Sequence, residues 1–256
     1  MSNVIVLPFH RDEQLSELSI RLPAGTESLA VDPALPAADQ WTRLAVLYDA
    51  LATHVANSVQ SGLVTRVVTG DCLATLGTLV GLQRSGLDPA LVWFDAHGDV
   101  HTVESSTSGY LGGMALRMAI GEDPALLGGP LGLRALPESR AVLVGARDLD
   151  PAEATYLSRS NVRQMRVEDV SARDIPSGPV LVHVDLDVID ADEIPGLRFP
   201  ADSGPSAAQL FSALEPLLAS SQVVALDIAC PWFDPAGDAE AVHRTELLGT
   251  LVSLPA

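Results

Sequence analysis

The sequence contains no lysine; all 15 of its basic residues are arginine. That excludes a lysine Schiff base and any phosphate-binding loop that depends on its lysine. Cysteine is scarce as well. Cys72 and Cys230 are the only two, so there is no disulfide framework, and a reducing cytoplasm is the expected compartment. No apolar run approaches the roughly 18 residues of a membrane helix. The apolar start, Val4 to Leu7, lacks a basic lead and reads as a first strand rather than a signal peptide. Positive charge is short overall, with a net charge of -18 at pH 7. Nucleic acid needs clustered cations on its partner, so it is not an expected partner, and neither is a membrane. The acidity reads first as a solubilising surface charge, with a mild preference for cationic substrates as the alternative.

What is present is apolar and regularly spaced. Of the 256 residues, 47% are hydrophobic, enough for a large core in one α/β domain spanning residues 1–256. Strands are predicted at Val4–Pro8, Arg66–Thr69, Ala90–Asp95, Ala141–Gly145, Val162–Met165, Val180–Asp187 and Val223–Ile228. Several are Val/Leu-rich with little alternation, as in strands buried on both faces. Helices are predicted at Gln40–Ser61, Cys72–Ser85, Gly113–Ile120, Pro151–Ser158, Ser206–Ala219 and Ala239–Leu251, with Pro216 expected to kink or shorten its helix. Gly121–Ser139 reads as loop with a short helix. Strand and helix in alternation predict a parallel sheet covered on both faces. No strand is followed by a Gly-x-Gly-x-x-Gly loop, which argues against a nucleotide-binding doubly wound domain.

Two strands end in acids. Val92-Trp93-Phe94 runs into Asp95-Ala96-His97-Gly98-Asp99, and Val180–Val184 runs into Asp185-Leu186-Asp187. At period 2, Asp95, His97 and Asp99 share one face, and so do His183, Asp185 and Asp187. Carboxylates crowded at strand ends need a neutralising cation, and ligand-type groups there point to a metal. The competing reading of the first motif is a polar loop capping a helix. His183 alone reads more readily as a hydrogen-bonded core histidine than as a ligand. Arg66–Thr69 leads through Gly70-Asp71 to Cys72, and Val223–Ile228 leads to Cys230. If these four strands are parallel neighbours, their carboxyl ends converge on one cleft. Free cysteine is commonly just buried, which is the plain alternative for both thiols.

The chain resembles the ureohydrolases: arginases, agmatinases and formiminoglutamate hydrolases. The matching segments are Gly70-Asp71-Cys72, Asp95–Asp99, Ser108–Met114, Gly145–Pro151, Asp185-Leu186-Asp187 and Ala225–Ile228. They keep the family's order over residues about 66 to 230. The resemblance implies a three-layer α/β/α sandwich with a mainly parallel sheet of about eight strands, two divalent ions, a small-molecule substrate and a homo-oligomer, trimer or hexamer. It implies Cys72, Asp95, His97, Asp99, Asp185 and Asp187 as metal ligands, with Asp99 and Asp185 bridging. Manganese is the implied metal. Cys72 stands where the family has a histidine, and a thiolate shifts preference toward zinc or iron.

The resemblance also implies Ser108, Tyr110, Asp150 and Glu153 as substrate-binding, and Asp99, His101 and Cys230 as catalytic-site residues, with Asp99 accepting a water proton. Asp150-Pro151-Ala152-Glu153 equally reads as a helix capping box. Gly112 replaces a proton-shuttling histidine of the arginases, and Cys230 replaces a glutamate that grips the guanidinium. Without that carboxylate a guanidinium loses its charge-assisted partner. The expectation is therefore a metal-dependent hydrolase of C–N bonds in a linear amidine- or guanidine-type substrate, not a conventional arginase. The alternative is a metal-binding relative with a regulatory or assembly role. Were the two cysteines close, they would form a redox-sensitive pair or join a ligand set.

Overall fold

The computed structural model describes residues 4–171, 173–220 and 222–255. Its strands are β1 (Val4–Leu7), β2 (Phe9–His10), β3 (Glu13–Gln14), β4 (Ser28–Ala30), β5 (Thr65–Thr69), β6 (Ala90–Phe94), β7 (Ala141–Val144), β8 (Arg163–Met165), β9 (Val180–Asp185) and β10 (Val223–Ala229). Its α-helices are α1 (Gln40–Val59), α2 (Thr75–Arg84), α3 (Ala115–Ala119), α4 (Gly128–Leu131), α5 (Pro151–Leu157), α6 (Ala207–Leu218) and α7 (Asp238–Ser253). Eight strands form one sheet in the order β4-β1-β5-β10-β9-β6-β7-β8, and every pairing within it is parallel. The other two, β2 and β3, form a small antiparallel hairpin.

The strands are apolar on both faces because both faces are covered. Ile5, Leu7, Val67, Leu91, Trp93, Leu143 and Leu181 pack with residues of α1, α2 and α3. Their neighbours Val6, Val68, Val92, Phe94, Val144, Val182 and Val184 pack with Leu210 and Leu214 of α6 and Leu248 and Leu251 of α7. The result is the expected three-layer sandwich. Each fully buried Val or Leu contributes about 1.5–3 kcal/mol relative to exposure, so the pattern fixes the register of the central strands. Local signals set the helix starts. The Asp39 carboxylate accepts from Thr42 N–H at 3.1 Å ahead of α1, and Ser206 with Gln209 forms a capping box ahead of α6.

Four differences from the sequence reading have physical causes. The strand expected through Asp187 stops at Asp185, where a 3-10 turn over Leu186–Val188 begins. The strand expected through Asp95 stops at Phe94. Pro216 does not end α6 early: it lies in the last turn, and the helix continues to Leu218. The edge strand β4 was missed because its three residues are exposed and carry no apolar pattern. No helix among the described residues is long and apolar enough to cross a membrane.

Candidate metal centre

The four strands singled out above are adjacent at the middle of the sheet, as β5-β10-β9-β6. Being parallel, they deliver their carboxyl ends to one place. After β5 the chain turns at Gly70, where any Cβ would collide with the Phe9 carbonyl oxygen. That turn lets Asp71 accept from Leu73 N–H at 2.9 Å and starts the helical segment carrying Cys72. After β6 and at the end of β9 the chain makes the same move twice. Asp95 Oδ1 accepts from His97 N–H at 2.7 Å, and Asp185 Oδ1 accepts from Asp187 N–H at 2.8 Å. These Asx-type turns, rather than a continued strand, bring the side chains of each motif together. Asp99 sits at φ 51°, a left-handed conformation that Asp tolerates better than most residues.

The ligand-type atoms fall into two groups. Cys72, Asp95 and His183 form one, and Asp95, His97 and Asp187 form the other; in each, the ligand atoms lie within 4.8 Å of one another. Asp95 is common to both, whereas Asp99 and Asp185, expected as the bridging carboxylates, are in neither. The two motifs interlock. His97 Nδ1 lies 3.0 Å from Asp187 Oδ2 and 3.4 Å from Asp95 Oδ1, and Ala96 N–H donates to Asp187 Oδ1 at 3.1 Å. The Cys72 thiol donates to Asp185 Oδ2 at 2.6 Å. The indole N–H of Trp93 donates to Asp95 Oδ2 at 3.0 Å.

Charge balance explains why these acids need company. Burial, then the charges of Asp95 and Asp185, push the Asp99 carboxyl well above the usual range. Burial, then Asp187 and Asp95, do the same to Asp185. Asp187 is raised to about 7 by burial and by Asp95. Burial and the same carboxylates lift the Cys72 thiol. Asp95 alone is held low: burial opposes its charge, but hydrogen bonds from His97 outweigh it. The His97 ring, likewise disfavoured by burial, is carried up to about 12 by Asp187 and Asp95. Among the described residues, the ion pairs to these carboxylates come from His97 alone. Arg147 is close, but it donates to the backbone carbonyls of Asp187, Val188 and Ala201 instead. Asp99 Oδ2 and His183 Nε2 are buried without any partner. Three buried acids forced toward neutrality, two orphaned ligand atoms and one cationic ring suit a site that takes divalent cations.

A cavity of about 260 Å³ opens over this centre. Cys72, His97, Asp99, Asp185 and Asp187 line its floor side, with His101, Ser108, Tyr110, Gly112, Asp148, Asp150, Glu153 and Phe199 around them. A model of the arginase family matches residues 18–253. The chain belongs to the arginase family. It is 32% identical over 208 residues to the N(omega)-hydroxy-L-arginine amidinohydrolase of Streptomyces lavendulae, covering 77% of this chain and 73% of that protein. It is 30% identical over 190 residues to the arginase of Bacillus caldovelox, covering 68% of this chain but only 62% of that arginase. Among solved structures, Entamoeba histolytica arginase in complex with L-ornithine superposes with a TM-score of 0.80 at 19% identity, over 98% of this chain and 97% of the other. At that identity the likeness speaks for the fold alone.

Within this arginase-family cleft most of the expected site residues meet. Asp95 lies behind the cavity wall rather than on it, and Asp150 and Glu153 do double duty. The Glu153 carboxylate accepts from Asp150 N–H at 3.1 Å, half of the capping box, and still faces the cavity. Asp150 Oδ2 lies 3.0 Å from His101 Nε2, while His101 Nδ1 lies 3.1 Å from Ser105 Oγ. Tyr110 is flanked by Phe199, ring centroids 4.4 Å apart, and stacks on His10 at 5.8 Å. Its ring fills the space that a side chain at Gly112 would need.

Cys230 is the exception. Its side chain packs in the core between the sheet and α6–α7, on the face opposite Cys72, and it does not line the cavity. Both thiols are free. The expectation of a cavity-lining Cys230, or of a thiol pair, is corrected accordingly: a small apolar-tolerant side chain at that strand end is absorbed by the core. Sequence reasoning missed Asp148 and Phe199. Asp148 lay within a quoted motif, and its carboxylate stands 3.8 Å from His97 Nε2 at the exposed rim. Phe199 comes from a loop without any pattern.

Proposed function

We propose that this chain is a metal-dependent hydrolase of C–N bonds in a linear amidine- or guanidine-type substrate, and that a modified guanidine suits it better than arginine. The observation that carries the reading is the pair of ligand groups sharing Asp95 directly beneath an acidic cavity. Cys72, Asp95, His97, Asp99, Asp185 and Asp187 would hold two divalent ions. When bound, such ions polarise the substrate and make water a better nucleophile at neutral pH.

The chain's own residues supply the rest. Asp99 lines the cavity, its Oδ2 buried and unpartnered, and takes a proton from the attacking water as the water's oxygen adds to the sp2 carbon. The C–N bond then breaks, and the departing amine needs a proton. Gly112 offers no imidazole for this, but His101 lies beside it: the backbone N–H of His101 donates to the Gly113 carbonyl at 2.9 Å. Oriented by Asp150, His101 gives its own proton to the departing amine and is recharged with the proton held on Asp99, which closes the cycle. Asp148 and Asp150 at the rim, with Ser108 and Tyr110, receive the amino end of the substrate. No carboxylate comes from position 230, so a less basic N-hydroxyguanidine loses less here than a guanidinium. The Streptomyces lavendulae relative, named for such a substrate, supports this choice.

The reading includes manganese at the Asp95–His97–Asp187 group, a homo-oligomer and a cytoplasmic setting. The test is a release assay for amine, urea, hydroxyurea and ammonia on protein loaded with manganese, zinc or iron. N-hydroxyarginine should be turned over faster than arginine or agmatine. No release from any guanidine or amidine by metal-replete protein would reject the hydrolase and leave the regulatory relative.

A further inference from the structure

We propose that His183 is a metal ligand, forming with Cys72 and Asp95 a soft, fully buried site that is chemically distinct from its neighbour on His97 and Asp187. The proposal rests on the reading of this cleft as a metal centre and adds the composition and selectivity of one half of it.

The argument starts from register. On β9, His183 pairs with Asp227 of β10 on one side and Trp93 of β6 on the other. Its Nδ1 lies 3.1 Å from Asp227 Oδ1 and 2.8 Å from Thr75 Oγ1. The Thr75 and Thr78 hydroxyls both donate to the Asp227 carboxylate. With those hydrogens committed, only Nδ1 itself has a hydrogen left for Asp227, so the ring proton is on Nδ1. Nε2 is then a bare lone pair. It is completely buried and has no partner. A ring nitrogen of His183 lies within 4.8 Å of Cys72 Sγ and of an Asp95 oxygen, and with Nδ1 committed to Asp227, Nε2 is the nitrogen left to bind. The Trp93 ring, 3.7 Å away between centroids, closes one side of the imidazole.

A core histidine held only for packing does not leave a nitrogen stranded beside a thiol and a carboxylate, because a buried polar atom without a partner is costly. A ligating histidine does show this arrangement: its second ring nitrogen donates to a carboxylate, which fixes the tautomer and strengthens the ligand. Thiolate, imidazole and carboxylate together favour zinc or iron over manganese. Cys72 lines the cavity whereas Asp95 and His183 do not, so this group would hold its ion deeper than the group that reaches the cavity through both His97 and Asp187.

Cobalt(II) added to metal-free protein reads the site without reference to turnover. One tightly held cobalt should show a near-ultraviolet sulfur-to-metal charge-transfer band. Cys72→Ser should abolish the band. His183→Ala should weaken binding of that ion by at least about 100-fold, and Asp227→Asn by about 10- to 100-fold, with the second cobalt retained in each. His97→Ala should do the reverse, sparing the sulfur-bound ion. As a check that leaves the buried row intact, X-ray absorption on the His97→Ala protein with one equivalent of zinc should show one sulfur and one imidazole. Sulfur without imidazole, or unchanged cobalt affinity in folded His183→Ala, would overturn the proposal. Absence of any metal uptake by the wild-type protein would overturn it together with the metal-centre reading.

Discussion

The Cys72–Asp95–His183 group is buried and touches the cavity through Cys72 alone, whereas the Asp95–His97–Asp187 group reaches it through both His97 and Asp187. One is backed by a cross-strand row, Asp227–His183–Trp93, fixed by sheet register. The other is built from two Asx-type turns that begin where the strands stop. The contrast teaches a division of labour. His183, within β9, is held by a sheet that cannot shift without exposing its core, so it suits a permanent ion. His97 and Asp187, just past their strand ends, sit on a rigid base and line the cavity, so they suit chemistry. Asp95, the first residue beyond β6, belongs to both.

The comparison breaks most completely at Asp95. Asp95→Ala should lower activity by at least about 1,000-fold, because both groups lose a member; a steady-state assay checks this. His101→Ala should leave both ions in place and reduce kcat by about 100- to 10,000-fold, with Asp150→Asn weaker and visible as a shifted pH–kcat profile. Metal-free protein should lose stability as pH rises. Asp187, raised to about 7, and His97, raised to about 12, both bind protons more tightly folded than unfolded. Their stabilisation is full below the unfolded values and drains away, for Asp187 between about pH 4 and 7 and for His97 above about pH 6.5. Calorimetry at pH 5 and 8 should show a Tm lower by several degrees at pH 8, since about 1 kcal/mol moves Tm by about 2–4 °C at this size. Metal should cancel the difference. Gly112→Ala should cost about 1–3 kcal/mol in urea unfolding through collision with Tyr110, and less in a Tyr110→Ala background. Cys230→Ala should cost only about 1 kcal/mol and leave metal uptake unchanged.

The central strands and the acids at their ends were legible because burial on both faces leaves Val/Leu runs, and charged residues inside such runs stand out. Asp95, His97, Asp185 and Asp187 were found that way. His183 was visible but undervalued. Its meaning lies in Nε2 having no partner, and partners across a sheet depend on strand order, which no local pattern reveals. Cys230 was overvalued for the same reason: alternation places it at a strand end but does not say which layer receives it. Asp148, Phe199 and the Tyr110 ring over Gly112 owe their positions to loops, whose paths follow tertiary packing rather than periodicity.

The central claim is that the buried acids coexist because cations sit among them. Its most direct measurement is metal content by elemental analysis after saturation and gel filtration, on wild-type and Asp95→Asn protein side by side. Close to two divalent ions per chain in the first, and loss of both in the second, is the expected result. Equal metal content in the two, or none in the wild type, would contradict it.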